Sequence, residues 1–98
     1  MKINVINENN LAKVVLEGRI DTGTAPTLDK EMKKVLKKFT NICFDFEKVE
    51  YITSAGLRVI LAISKELNGI GKMTIINASS TVKEIFDMTG FSEVVEVE

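Results

Sequence analysis

The sequence predicts an α/β fold: a single domain over residues 1–98, with a mixed, mostly parallel β-sheet and crossover helices in the order β-β-α-β-α-β-α-β. Three observations carry this. Short apolar, strand-like runs alternate with segments whose apolar residues recur every three to four positions. The first two runs are separated only by an Asn-rich turn, which suits a hairpin. The later runs are separated by helix-length segments, which imply right-handed crossovers between parallel strands and leave the first strand antiparallel at an edge.

Lys2 to Asn7 reads as the first strand, Glu8-Asn9-Asn10 as the turn, and Leu11 to Leu16 as the second strand, stopping at Glu17-Gly18. Thr24 or its neighbour caps the first helix. Pro26 falls in its first turn, where a missing N–H costs nothing, and Leu28, Met32, Val35 and Leu36 mark its buried face. Asn41 to Phe46 is the third strand, with Ile42, Phe44 and Phe46 on one side and polar Glu47-Lys48-Val49-Glu50 following. A second helix begins near Ser54, carries Leu57, Val59, Ile60, Leu61, Ile63 and Leu67, and ends at Asn68-Gly69-Ile70-Gly71. Met73 to Ile76 is a strand, and Ser79-Ser80-Thr81 opens a last helix. Thr81 and Glu84 there have capping-box spacing, and Val82, Ile85, Phe86 and Met88 form the buried side. Gly90 stops that helix, and Val94 to Val97 adds a short edge strand through which the chain is expected to be a monomer or weak dimer.

Composition removes several function classes. Hydrophobic content of 45% with 28% charge describes a folded globular domain. Thirteen basic against fourteen acidic residues give a net charge of −1, so no electrostatic footprint for nucleic acid exists. Lys30, Lys33, Lys34, Lys37 and Lys38 share their helix with Asp29 and Glu31 and read as a solvated face. The chain has no histidine, which excludes a Ser-His-Asp triad, a Cys-His pair and nearly all catalytic zinc sites; no catalytic residue, metal or cofactor is expected. Its one cysteine, Cys43, makes no internal disulfide and points to a reducing compartment. No apolar run is long enough to span a membrane, and Met1-Lys2-Ile3-Asn4 lacks a signal peptide's apolar run, so the expected location is cytoplasmic.

The most informative stretch is Tyr51 to Leu61, where strand character gives way to a helix at Thr53-Ser54-Ala55-Gly56-Leu57. Ser54 reads either as a simple N-cap or as an accessible hydroxyl at the positive end of a helix, where a phosphate would be tolerated. Gly56 in the first turn costs up to about 1 kcal/mol relative to alanine, which asks for a reason. Gly18-Arg19-Ile20-Asp21-Thr22 reads as a strand end and turn. Loops after the carboxyl ends of parallel strands share one sheet edge, so Asp21 and Ser54 are candidates for one composite site. Asn77-Ala78-Ser79-Ser80 is a third such loop. Gly69-Ile70-Gly71 has no accompanying phosphate-loop pattern.

Three segments, Leu16 to Asp21, Phe44 to Leu57 and Phe86 to Phe91, fall in the order and spacing of STAS domains, and the chain most resembles the stand-alone bacterial anti-sigma factor antagonists. The likeness covers nearly the whole chain. In that family an anti-sigma factor serine kinase phosphorylates the serine of D-S-[ST]-G-L with ATP, and a PP2C-type phosphatase removes the phosphate. The unphosphorylated form binds the anti-sigma factor and frees the sigma factor. The resemblance implies that Ser54 is the phosphoacceptor, and that Asp21, Thr22, Thr53, Ala55, Gly56 and Leu57 join it in the partner surface. Thr53 stands where the family carries aspartate, and Ala55 where it carries a second hydroxyl. The alternative the resemblance leaves is a constitutive, non-phosphorylated STAS scaffold or a regulatory subunit of a larger assembly or transport system. A small enzyme built on Asp21, Asp45 or Glu47 lacks a convincing carboxylate pair.

Overall fold

A computed structural model describes Met1–Glu98. β1 (Lys2–Glu8) and β2 (Leu11–Ile20) form the hairpin in antiparallel register from Lys2 opposite Glu17 to Glu8 opposite Leu11. Asn9 and Asn10 turn the chain with φ of 52° and 69°, a left-handed conformation that asparagine tolerates better than other side chains with a Cβ. Three helices then alternate with parallel strands: α1 (Ala25–Val35), β3 (Asn41–Ile52), α2 (Ser54–Leu67), β4 (Lys72–Ile76), α3 (Ser80–Met88), a 3-10 turn (Phe91–Glu93) and the two-residue β5 (Glu96–Val97). The spatial strand order equals the sequence order. Every crossover therefore steps one strand in the same direction, and right-handed connections place all three helices on one face of the sheet.

That face holds the core, one cluster of 22 buried residues. Leu28 and Met32 of α1, Ile60 and Ile63 of α2 and Val82 and Phe86 of α3 pack on Val14, Leu16, Ile42, Phe44 and Ile75 of the sheet. Phe44, Phe46, Phe86 and Phe91 form a chain of ring contacts with centroids 6.3, 5.9 and 4.8 Å apart. On β3, Cys43 and Asp45 alternate with these aromatics and face the other side of the sheet. Asp45 is buried there. It accepts hydrogen bonds from the Glu47 backbone N–H (3.0 Å) and Asn77 Nδ2 (3.1 Å), with the Lys13 ammonium 3.9 Å away.

Several local expectations change. β2 does not stop at Glu17-Gly18 but runs on to Ile20, and β3 does not stop at Phe46 but runs on to Ile52. The two extensions pair with each other, Gly18 opposite Val49 and Ile20 opposite Ile52, after register shifts flanking Gly18, whose φ of +105° favours glycine. The cap of α3 is Ser79, whose Oγ accepts from the Val82 N–H at 3.2 Å, not Thr81 with Glu84. Met88 is 80% exposed rather than part of the buried side of α3. The final strand shrinks to Glu96–Val97, because Phe91 to Glu93 forms the 3-10 turn and Val94 and Val95 the turn and bend after it.

Candidate functional site

The paired extensions of β2 and β3 carry Asp21 and Ser54 to the same end of the sheet, beyond the end of β4. The loops after β2, β3 and β4 all follow carboxyl ends of parallel strands and share that edge. The first two loops are joined directly. The Thr53 N–H donates to the Ile20 carbonyl at 2.9 Å, and the Thr53 hydroxyl donates to the same oxygen at 3.4 Å.

Ser54 is not the cap. Thr53 occupies the N-cap position with extended backbone (φ −99°, ψ 176°), and Ser54 is the first helical residue. The Ser54 side chain is exposed and makes no hydrogen bond within the chain, so its hydroxyl has no structural task. Ala55 and Leu57 are half-buried beside it. Gly56 is buried for a packing reason: a Cβ there would lie 2.6 Å from Ile20 Cγ2, 2.8 Å from Ile52 Cγ1 and 3.0 Å from the Ile20 carbonyl oxygen. The glycine lets the first turn of α2 press onto the strand ends, which fixes where Ser54 projects.

Asp21 serves its own loop. Its Oδ1 accepts from the backbone N–H groups of Gly23 and Thr24, both at 3.0 Å, and Thr24 Oγ1 returns the favour by accepting from the Asp21 N–H at 2.9 Å. The Thr24 hydroxyl donates to the Arg19 carbonyl at 2.8 Å. The Thr24 N–H, opposed by some desolvation and aided by the Thr24 hydroxyl, the Gly23 N–H and the Arg19 charge, holds the Asp21 carboxyl below the usual carboxylate range. Thr22, at the loop tip, is exposed. The structure thus brings Asp21, Thr22 and Thr53 to Leu57 to one edge.

Two features escape a reading of the sequence. Arg19 lies over the Tyr51 ring, 5.6 Å from its centroid, because the strand extensions place these residues opposite one another. No linear signal reveals that register. A largely apolar cleft of about 180 Å³ also lies between α2 and the 3-10 turn, lined by Leu57, Leu61, Phe91 and Val94, with Arg58, Thr89 and Gly90 completing it. The spacing of Ser54, Leu57, Arg58 and Leu61 was available as a signal for it. No cluster of three metal-ligating side chains is present, and no helix is long and apolar enough to cross a membrane.

The sheet order, with its three helices between successive parallel strands, defines an α/β domain covered on one face. The chain belongs to the STAS domain family, whose profile matches residues 2–98. It is 28% identical over 99 residues to BtrV of Bordetella bronchiseptica, covering 99% of this chain and 85% of that protein. It is also 28% identical over 101 residues to the anti-sigma-B factor antagonist of Bacillus subtilis, covering 99% and 92%. Its fold superposes with a TM-score of 0.90 on an anti-sigma factor antagonist from Mycobacterium paratuberculosis, at 21% identity and with 98% and 83% of the two chains covered. The TM-score is 0.75 on phosphorylated SpoIIAA from Bacillus, at 18% identity and 99% and 91% coverage.

Proposed function

We propose that this protein is an anti-sigma factor antagonist whose binding is switched by phosphorylation of Ser54. The observation that carries the proposal is the freedom of that hydroxyl: it is exposed, unbonded and one residue past the cap. With Ser54 unmodified, the edge formed by Asp21, Thr22 and Thr53 to Leu57 binds an anti-sigma factor serine kinase, and the sigma factor is released. In the off step, Ser54 Oγ forms a bond to the γ-phosphorus of ATP as the bond to the bridging oxygen breaks. ADP leaves and the hydroxyl proton passes to a base of the kinase. A PP2C-type phosphatase reverses this by hydrolysis, returning the hydroxyl and inorganic phosphate.

The switch follows from electrostatics. A phosphoserine carries nearly two negative charges, and at the first residue of α2 it meets unpaired N–H groups and the positive helix end. The fold tolerates it, while a partner surface fitted to a neutral hydroxyl does not. The protein is then a kinase substrate and a binding partner rather than an enzyme, and acts where sigma factors act, in the cytoplasm. One observation favours the constitutive scaffold: Thr53 replaces the family's carboxylate and spends its hydroxyl on Ile20.

Capture of the kinase by wild type, Ser54→Ala and Ser54→Asp tests the proposal. Ser54→Ala is expected to bind and Ser54→Asp to lose most binding. If both bind like wild type, the switch is not at Ser54.

A further inference from the structure

Ser54, Leu57, Arg58 and Leu61 stand at positions i, i+3, i+4 and i+7 of α2, one ridge opposite the buried Gly56, Ile60, Ile63 and Leu67. Arg58 is exposed, and it makes no ion pair or hydrogen bond within the chain. The other arginine, Arg19, lies over Tyr51, so among the cations without a carboxylate partner Arg58 is the guanidinium one turn from Ser54. Side chains of a helix lean toward its N-terminus, so a residue at i+4 covers the turn that carries residue i. No acidic residue in the first turn of α2 competes for the guanidinium.

We propose that Arg58 is the intramolecular receptor for a phosphate on Ser54, an inference that rests on reading Ser54 as the phosphoacceptor. A guanidinium presents two parallel N–H donors that match two phosphate oxygens, a pairing that a lysine ammonium makes only as a point charge. Arg58 also lines the cleft floored by Leu57, Leu61, Phe91 and Val94. Drawing its guanidinium toward Ser54 changes the charge and outline of that cleft. Phosphorylation therefore alters two parts of the surface at once, the serine itself and the apolar cleft a turn further along α2.

The full chain carrying phosphoserine at position 54, installed during synthesis, is the test material, so no kinase is involved. The second ionisation of the phosphate, near pH 6 when unperturbed, is followed by phosphorus NMR. Replacing Arg58 in R58A is expected to raise that midpoint by about 0.3 unit, the size of an i,i+4 ion pair, with R58K in between. Backbone amide signals of Leu57, Leu61, Phe91 and Val94 are expected to differ between the phosphorylated and unmodified wild type, and to differ much less in R58A. Superimposable phosphate titrations, or identical cleft shifts with and without Arg58, overturn the proposal. Because phosphoserine is built in, a kinase that ignores Ser54 contradicts the functional reading without touching this result.

Discussion

Thr53 is bonded to Ile20 twice, through its N–H at 2.9 Å and its hydroxyl at 3.4 Å, both to the same carbonyl oxygen. Ile20 immediately precedes Asp21, and Thr53 immediately precedes Ser54. The pair therefore couples the two loops that make up the candidate site, and the free serine follows a residue tied to the end of β2. Four consequences can be measured.

Gly56→Ala is expected to destabilise the protein by about 1–3 kcal/mol, as overpacking does, even though alanine is the better helix former. The added methyl would enter space held by Ile20 and Ile52, at 2.6 and 2.8 Å. Urea unfolding checks this: the midpoint falls with little change in slope. A stabilised Gly56→Ala protein would show that the first turn of α2 is not pressed onto the strands.

Ser54→Ala and Ser79→Ala are expected to separate two serines that look alike in sequence. Ser79 caps α3 through the Val82 N–H, so its loss costs about 1 kcal/mol. Ser54 supports nothing in the fold, so its loss stays within about 0.5 kcal/mol. Equal costs in a denaturant titration would mean that Ser54 has a structural role after all.

Asp21 gives a pH dependence of known sign. Its folded-state carboxyl titrates below the usual range, chiefly because the Thr24 N–H holds the ionised form. The stabilisation is complete above the unfolded value of about 3.9 and is lost as pH falls through the lower folded value. Asp21→Asn is expected to be less stable at neutral pH and to lose stability less steeply on acidification. Parallel curves of melting temperature against pH for the two proteins would contradict this assignment.

Asp45→Ala is expected to cost about 0.5–1.5 kcal/mol, because it removes the acceptor shared by the Asn77 amide and the Glu47 N–H on the helix-free side of the sheet. Asp45→Asn retains an acceptor and is expected to cost less. Asn77 sits at φ 60° at the start of the β4–α3 loop, so the loss of its anchor should also raise amide exchange there.

Much of this was legible in the chain because two periods are easy to read. The alternation in β1 and β2 and the 3.6-residue spacing of Leu28, Met32 and Val35 or of Ile60, Ile63 and Leu67 have few rival explanations. The strand extensions were illegible for a physical reason. Glu47, Lys48 and Glu50 are solvent-facing, and the partner segment contains Gly18, so neither half looks like strand until the two are paired. The cap at α2 turns on backbone angles rather than residue type, since Thr53 and Ser54 are both good caps. Hydrophobicity alone puts Met88 in the core, although its position two residues past Phe86 turns it about 200° away from that ring. The composite edge of Asp21 and Ser54 followed from the strand-end rule. Its inner detail, Arg19 on Tyr51 and Thr53 on Ile20, depends on register and did not.

The most direct measurement is the intact mass of the protein after incubation with ATP and an anti-sigma factor serine kinase. The proposal predicts the gain of one phosphoryl group by wild type, no gain by Ser54→Ala, and return to the starting mass on adding a PP2C-type phosphatase. No gain by wild type, or a gain that survives Ser54→Ala, would contradict it.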